Sequence, residues 1–408
     1  MFKKLPSAHV LFIAKTNDAS GEMSAVTVAE FVEMTAACTP PTQVLMLPVM
    51  NSNIFSLAQL FKLLQYKNPI LLCSQEQVND AEEIIENTQL DTLQGKPMLG
   101  FFTSATTGKS RAVFHDFTLF MKRYQRTAHP IRSLCFYKPD HIAFIDVLLS
   151  TMATGGTMVL QDHFNPEQAI LDIQKHKVTH LFASPSFLAL FCLHLNDDIA
   201  LPSLQQIVYG SELMPEYVID KLKKQLPQVK LKDVYATTQG LRRKKILDAS
   251  DEEYFKFGEE GIDFKIENDE LYLHAPESLL YIIKENKVFE AHEWIATGDL
   301  VERNANGYYK LIGRSSELIN TGGEKLSPRL METALRSLPQ IKDIKIYAEK
   351  SLILGELVCA DVVKSDGYTN DEVKQYIRNY AREKLRPMEV PVKINFVEEI
   401  KLTPRMKR

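Results

Sequence analysis

Apolar runs of strand length alternate with amphipathic helical stretches along the first half of the chain, and this alternation restricts the possible folds. Strand-like runs fall at residues 44–48, 69–73, 157–160, 179–183 and 206–209, with helical stretches at residues 54–65 and 166–176. Strands separated by helices of this length favour βαβ units and parallel sheets. The sequence therefore predicts an α/β fold with a large N-terminal domain of mostly parallel βαβ sheets.

The pattern changes twice further along the chain. From about residue 254 it breaks into short pieces that predict a small antiparallel, barrel-like part, as at residues 271–274 and 308–312. After Gly313 it predicts a compact α+β unit with helices over 328–337 and 370–384 and strands near 341–347, 356–363 and 392–397. A boundary near Ser316 then divides the chain into a large domain, residues 1–315, and a small domain, residues 316–408.

Composition narrows the class of protein. The 408 residues are 45% hydrophobic and 25% charged, which is typical of a globular protein with more than one core. The net charge is -4 and the 48 Lys and Arg residues are dispersed, so nucleic acid is not an expected partner. No stretch has the ~20 apolar residues of a membrane span or the layout of a signal peptide, which predicts a cytoplasmic protein without a membrane span.

The cysteines predict neither disulfides nor a metal site. They are odd in number, lie far apart and fall mostly in apolar runs: Cys38, Cys73, Cys135, Cys192 and Cys359. Such residues are expected to be reduced thiols in the core. No pair has metal-ligand spacing.

Residues 102–113, Phe-Thr-Ser-Ala-Thr-Thr-Gly-Lys-Ser-Arg-Ala-Val, favour the binding of a polyphosphate such as ATP. Backbone N–H groups in such a turn form an anion-binding concavity, hydroxyl groups add donors, and basic side chains add charge. The candidate phosphate ligands are Thr103, Ser104, Thr106, Thr107, Gly108, Lys109 and Arg111. Apolar residues 98–102 predict a short buried strand that fixes the start of the loop.

Two other interpretations of this loop stay open. Clusters of Ser, Thr and Gly are usually plain turns. The sequence Gly108-Lys109-Ser110 also matches the end of a Walker loop, although the first glycine of that motif falls on Thr103.

The loop resembles the phosphate loop of the adenylate-forming superfamily of acyl-CoA synthetases, luciferases and adenylation domains. That loop is usually written Thr-Ser-Gly-Thr-Thr-Gly-x-Pro-Lys-Gly-Val. Three further segments resemble signatures of the same family and follow in its order: Thr-Gly-Asp-Leu at 297–300, the hinge and glycine turn at 313–328, and Leu-Thr-Pro-Arg-Met-Lys-Arg at 402–408. The resemblance covers nearly the whole chain, although the region before the phosphate loop is short for this family.

The resemblance implies an activity and a mobile small domain that closes over the site. Members of the family join a carboxylic acid to the α-phosphate of ATP with Mg²⁺, release pyrophosphate, and pass the acyl group to CoA or to the phosphopantetheine of an acyl or aryl carrier protein. Catalysis of such a step depends on positioning and on cations aimed at the developing charge. Lys407 matches the terminal catalytic lysine, whereas its position alone suggests a solvated tail.

The family motifs also suggest roles around the nucleotide. Asp299 would accept hydrogen bonds from both ribose hydroxyls, and Arg314 would add donors to the ribose or phosphate. The alternatives are that Asp299 is an ordinary aspartate in a turn and that Arg314 forms an ion pair at the surface. Tyr235 and Ala236 would flank adenine, and Thr238 would contact the α-phosphate as a catalytic residue.

Gln239 stands where the family carries a glutamate that helps to hold Mg²⁺. A neutral amide oxygen is a weaker ligand for a hard dication than a carboxylate. Ala105 replaces a glycine and Arg111 a lysine in the phosphate loop, which are milder departures. These changes keep a second hypothesis open, in which a degenerate member binds nucleotide or acyl ligand and regulates or scaffolds.

The acyl and thiol sites are also implied by the resemblance. His141 is a candidate catalytic and acyl-binding residue, or simply a satisfied histidine at a helix start. Residues Tyr209, Gly210 and Ser211 would form the floor of the acyl pocket. Gly322 and Gly323 would let the pantetheine arm pass close to the backbone, although a glycine pair is more often a plain turn.

Overall fold

A computed structural model describes most of the chain and confirms the mixed α/β fold. The described residues are 10–15, 23–38, 45–48, 54–65, 69–88, 97–103, 111–124, 129–161, 165–210, 212, 214–257 and 263–400. Their α-helices are α1 (Val28–Ala37), α2 (Ile54–Leu63), α3 (Val78–Thr88), α4 (Phe117–Lys122), α5 (Ile142–Ala153), α6 (Pro166–His176), α7 (Pro185–His194), α8 (Glu216–Gln225), α9 (Pro328–Arg336) and α10 (Asn370–Lys384). None of these helices is long and apolar enough to cross a membrane.

The largest sheet is parallel in one half and antiparallel in the other. Its strands lie in the order β14 (Phe264–Glu267), β15 (Glu270–His274), β18 (Trp294–Arg303), β19 (Tyr309–Arg314), β13 (Asp251–Phe257), β12 (Leu241–Asp248), β11 (Lys230–Thr237), β10 (Gln206–Gly210), β9 (His180–Ala183), β7 (Arg132–Cys135), β8 (Thr157–Leu160), β1 (Val10–Lys15) and β2 (Met23–Thr27). Neighbours from β11 to β1 pair in parallel. All pairs from β11 to β14 are antiparallel, so the predicted antiparallel part extends this same sheet.

Helices α5 to α8 connect the parallel strands as the βαβ pattern predicts. Local signals fix their ends. At the start of α6 the Asn165 side chain accepts a hydrogen bond from the backbone N–H of Gln168, and Pro166 lies in the first turn. Lys177 follows the last helical residue in the left-handed conformation. These are the ordinary cap preferences of helices, and the predicted helix over 166–176 is confirmed.

A second sheet carries the strands on either side of the predicted phosphate loop. Its order is β17 (Lys287–Glu290), β16 (Leu279–Lys284), β6 (Arg111–Asp116), β5 (Met98–Thr103), β4 (Ile70–Cys73) and β3 (Leu45–Pro48). Every residue of β5 is buried, in agreement with the predicted strand over 98–102. Strand β5 pairs antiparallel with β6, with Thr103 opposite Arg111.

The last part of the chain has its own sheet and core. The strands are β20 (Ile319–Thr321), β21 (Glu324–Leu326), β22 (Ile341–Ser351), β23 (Gly355–Lys364) and β24 (Lys393–Phe396). Met331 and Leu335 of α9 and Val373 and Ile377 of α10 pack into a cluster built only from residues after 318. A separate core after residue 318 is the physical basis on which we propose a boundary near Ser316.

Candidate active site

A cavity of about 440 Å³ lies at the edge of the large sheet where its parallel strands end. Ala183, Gly210 and Ala236 line it from the carboxyl ends of β9, β10 and β11, and the start of α5 closes one side. Open α/β sheets bind ligands at this edge. The volume lies within the range of ligand pockets, roughly 300–1,000 Å³.

The cavity brings together predicted residues from distant parts of the sequence. Its lining includes Thr103, Arg111, His141, Tyr209, Gly210, Ala236, Thr238, Gln239 and Arg314. Other predicted residues lie outside the described part of the chain: Ser104, Thr106, Thr107, Gly108, Lys109, Ser211 and Lys407. The functional roles of both groups remain predictions.

Arg111 is placed to meet an anion. It begins β6 opposite Thr103, so both ends of the predicted phosphate loop reach the cavity. Its Nε is buried and has no hydrogen-bond acceptor among the residues that the structure describes. A buried donor without an acceptor costs free energy, and a phosphate oxygen would satisfy it.

Tyr235, Asp299 and Arg314 form a hydrogen-bonded group beside the cavity. The Tyr235 hydroxyl donates to Oδ2 of Asp299 at 2.5 Å, and Nε of Arg314 donates to Oδ1 at 2.8 Å. Burial, and next the Asp299 carboxylate, raise the pKa of Tyr235 well above its ordinary value. The hydroxyl therefore stays protonated and keeps donating to Asp299.

Tyr235 lies beside the main cavity, and its role at adenine remains a prediction. Its ring packs with Leu271, Leu273 and Val301 in a small buried cluster and does not line the main cavity. Asp299 is also buried, and with Tyr235 and Arg314 it borders an adjoining cavity of about 40 Å³.

His115, which the sequence reasoning missed, holds the turn that carries Thr238. Its Nε2 lies 3.0 Å from the Thr238 carbonyl oxygen and its Nδ1 lies 3.2 Å from Oγ of Ser278. The side chain is fully buried, and burial lowers the pKa of His115 to about 4. The ring is therefore neutral near pH 7, and Nε2–H donates because a carbonyl oxygen can only accept. The available signal was a histidine directly after the apolar residues 112–114.

His141 caps a helix and also lines the cavity, and its catalytic and acyl-binding role remains a prediction. Its Nδ1 accepts a hydrogen bond from the backbone N–H of Ala143 at 3.1 Å, which caps α5. The same side chain lines the cavity, and its ring stacks on Tyr137 with 5.9 Å between centroids. Because Nδ1 accepts, the proton of a neutral ring is on Nε2.

A second polar group that lines the cavity was also missed. Oδ1 of Asp146 accepts a hydrogen bond from the Tyr124 hydroxyl at 2.7 Å, and Oδ2 lies 3.2 Å from Nε of Arg242. All three side chains line the cavity. The signal in the sequence was Asp146 itself, the one charged residue in the apolar segment 142–153.

Gly322 and Gly323 lie outside the cavity, in the hairpin between β20 and β21. Both have positive φ, 57° and 86°, which favours glycine. A Cβ at Gly323 would meet nothing within 4 Å, so this backbone is open to a ligand. The predicted pantetheine contact is not part of the cavity in this arrangement.

Within the described residues no group of three or more His, Cys, Asp and Glu side chains could hold a metal. Gln239 lines the cavity and is a neutral oxygen ligand at most. Mg²⁺ commonly takes few protein ligands and completes its shell with phosphate oxygens and water. The donor set therefore fits a metal that arrives with a nucleotide.

An open sheet with a ligand cavity at the carboxyl ends of its strands, followed by a small α+β unit, defines the class of this protein. The chain belongs to the AMP-binding enzymes. The model of the AMP-binding enzyme family matches residues 27–241, and that of the AMP-binding enzyme C-terminal domain matches residues 330–407. The predicted membership of the adenylate-forming superfamily is thereby confirmed.

Individual relatives are distant. The chain is similar to a 4-chlorobenzoate–CoA ligase of Arthrobacter sp, with 26% identity over 68% of this chain and 59% of the ligase. It is similar to pyochelin synthase PchD of Pseudomonas aeruginosa, with 27% identity over 61% of this chain and 49% of the synthase. The chain thus spans about half to three fifths of the length of these relatives.

Solved structures share the fold. The o-succinylbenzoate CoA synthetase MenE from Bacillus subtilis, solved with its acyl-adenylate intermediate, superimposes with a TM-score of 0.77 and 17% identity. The match covers 100% of this chain and 95% of that one. The amide bond synthetase McbA from Marinactinospora thermotolerans gives a TM-score of 0.70 and 18% identity over 98% of this chain and 95% of that one.

Proposed function

We propose that the protein is an ATP-dependent acid–thiol ligase of the AMP-forming type. The observation that carries this proposal is the single cavity in which Arg111, Thr238 and Arg314 meet His141 and Tyr209. The first three residues suit a nucleotide and the last two suit an acyl group. A cavity that serves both is what a reaction between ATP and an acid requires.

The proposed chemistry has two steps. A carboxylate oxygen of the acid bonds to the α-phosphorus of ATP, and the bond to pyrophosphate breaks. A thiol then bonds to the acyl carbon, AMP leaves, and the thiol proton passes to solvent. Arg111, Arg314 and Lys407 would stabilise the developing negative charge, with Thr238 as a neutral donor. Mg²⁺ would neutralise phosphate charge, with Gln239 as its protein ligand.

We propose a pantetheine thiol as the acyl acceptor, on CoA or on a carrier protein. The names of the relatives include CoA ligases and a pyochelin synthase, which supports either carrier of the thiol. The open backbone at Gly323 supports a path for the pantetheine arm on the small domain. In this proposal residues 316–408 rotate between the two steps.

A second candidate function is a non-catalytic member that binds nucleotide or acyl ligand. Gln239 in the cavity favours it, because the carboxylate that would hold Mg²⁺ is absent at that position. The two functions differ in one measurement, the acid-dependent exchange of pyrophosphate into ATP.

The test compares two variants in the two half-reactions. Lys407→Ala should lower acid-dependent pyrophosphate exchange by several orders of magnitude and spare thioester formation from a presynthesised acyl adenylate, because its charge acts in one transition state. Arg408→Ala removes a neighbouring charge and serves as the control. Full exchange in Lys407→Ala would contradict the assignment, and no exchange with any acid despite ATP binding would favour the non-catalytic function.

Gly323→Leu should show the opposite pattern, with exchange retained and thioester formation lost. Gly367→Leu is a matched control, because Gly367 has a φ of 87° and equally open surroundings. Any backbone strain is therefore common to both variants. Equal effects in the two would show that position 323 has no special part in thiol access.

A further inference from the structure

The acyl side of the cavity contains an ion pair that the proposed chemistry does not use. Asp146 lies on α5 and Arg242 at the start of β12, and Tyr124 completes the group from the segment just after α4. Nη2 of Arg242 also donates to Oγ of Ser150 at 3.2 Å. The Asp146 and Arg242 side chains keep 17% and 27% exposure, so both still reach the cavity.

The charges in this group compensate each other. A carboxylate has about four acceptor sites and a guanidinium has five N–H donors, so both keep hydrogen-bonding capacity after their mutual contact. An alkyl chain laid over the pair would take both charges out of water without replacing those bonds. A neutral hydroxyl could donate to Asp146 and accept from Arg242 at once.

The position of the ion pair indicates how long the bound acid is. His141 caps α5 beside the proposed carboxylate site, and Asp146 lies five residues further along the helix, roughly 7.5 Å at 1.5 Å per residue. Ile142 and Ala143 line the cavity between them. This interval is about the length of one aromatic ring with its substituents.

The walls between these two ends are aromatic. Phe120, Tyr137 and Phe182 line the cavity, and the Arg242 guanidinium lies 5.9 Å from the centroid of the Phe182 ring, which helps to fix its plane. Aromatic side chains in a cavity wall favour a flat ring as the ligand, because rings stack on one another.

We propose that the acid is a compact hydroxyaryl carboxylic acid, with a hydroxyl across the ring from the carboxylate that bonds to Asp146 and Arg242. This inference rests on the proposed ligase function and names the substrate class of the same site. It assigns Asp146 and Arg242 as specificity-determining residues.

The first test compares 4-hydroxybenzoate with 4-methylbenzoate, which has nearly the same shape without the hydroxyl. Acid-dependent pyrophosphate exchange should give a kcat/KM for the hydroxy acid at least about 100-fold higher. Octanoate and palmitate should both have a lower kcat/KM than either aryl acid. Equal values for the two aryl acids, or a best rate with a fatty acid, would overturn the proposal.

Two variants test the assigned residues. Asp146→Leu with Arg242→Met replaces the pair by apolar side chains and should abolish the preference for the hydroxyl. Asp146→Asn leaves the Arg242 charge uncompensated while the side chain at position 146 keeps almost the same shape. The ratio of kcat/KM for benzene-1,4-dicarboxylate to that for 4-hydroxybenzoate should therefore rise at least about tenfold. An unchanged order of substrates in either variant would contradict the assignment.

The control replaces an ion pair far from the cavity. Lys393→Met with Glu349→Leu removes an exposed pair of 2.6 Å in the small domain and should leave the substrate order as it is in the parent protein. Calorimetric binding of the two aryl acids separates this inference from the ligase proposal. Tighter binding of 4-hydroxybenzoate without any exchange would refute the ligase and retain the substrate class, whereas exchange without a hydroxyl preference would do the reverse.

Discussion

Lowering the pH from about 7.5 to about 5 should destabilise the folded protein by about 2 kcal/mol through His115. Burial, and against it the hydrogen bond to Thr238, sets the pKa of His115 at about 4, compared with an ordinary value of 6.5. Because the folded protein keeps the ring neutral, this contribution to stability is fully present above pH 6.5. It is lost as the pH falls towards 4, since the unfolded chain binds the proton first.

The size of this loss of stability follows from the lowered pKa of His115. A change of 2.5 pKa units corresponds to roughly 3 kcal/mol in total, of which about 2 kcal/mol is lost by pH 5. His115→Gln removes the titrating ring and keeps an amide donor near the Thr238 carbonyl. The variant should be less stable than the parent near pH 7.5, and that difference should shrink by about 2 kcal/mol at pH 5.

The assay is urea unfolding at both pH values, followed by circular dichroism. Other titrating groups are common to the two proteins and cancel in the difference between them. His292→Gln, the same substitution at an exposed histidine, is the control for the change of residue type. A difference between parent and His115→Gln that stays constant across this range would refute the burial argument.

Three further outcomes test the nucleotide side. Asp299→Ala should weaken binding of a non-hydrolysable ATP analogue in calorimetry, because each charged hydrogen bond to the ribose contributes about 1.5 to 3 kcal/mol; unchanged affinity in a folded variant would remove the ribose assignment. Gln239→Glu should lower the Mg²⁺ concentration for half-maximal exchange, since a carboxylate is the better ligand for a hard dication; an unaltered Mg²⁺ dependence would place Gln239 outside the metal shell. Tyr235→Phe should weaken ATP binding less than Asp299→Ala, because it loses only the bond that orients Asp299; an equal loss would indicate direct contact of Tyr235 with the nucleotide.

Local features made part of this fold predictable. The helix over 370–384 begins at Thr369, whose side chain forms a capping box with Glu372, and both partners lie within four residues of each other in the sequence. The strand at 98–102 was equally visible, because all its side chains are apolar or glycine. Elements of this kind are set by neighbours along the chain, and the structure agrees with the prediction for them.

The contacts within the site were harder to predict because their partners are distant in sequence. Asp146 and Arg242 form an ion pair between α5 and the start of β12, although they lie far apart in the sequence. His115 reaches Thr238 from the second sheet. No periodicity encodes such contacts, since they depend on how sheets and helices pack in three dimensions. Tyr235 illustrates the same limit, because its motif does not encode the hydrogen bond to Asp299, 64 residues further along the chain.

The cavity lies where the large sheet changes from parallel to antiparallel, so both halves of the sheet contribute to its lining. Strand β11 has the parallel strand β10 on one side and the antiparallel strand β12 on the other. The parallel half supplies Tyr209 and Gly210, while the antiparallel half supplies Arg314. The proposed acyl contacts Asp146 and Arg242 lie on α5 and β12, whereas Asp299 and Arg314 lie on β18 and β19. Because the two groups lie on separate elements, substitutions at Asp146 should alter the choice of acid with little effect on ATP binding.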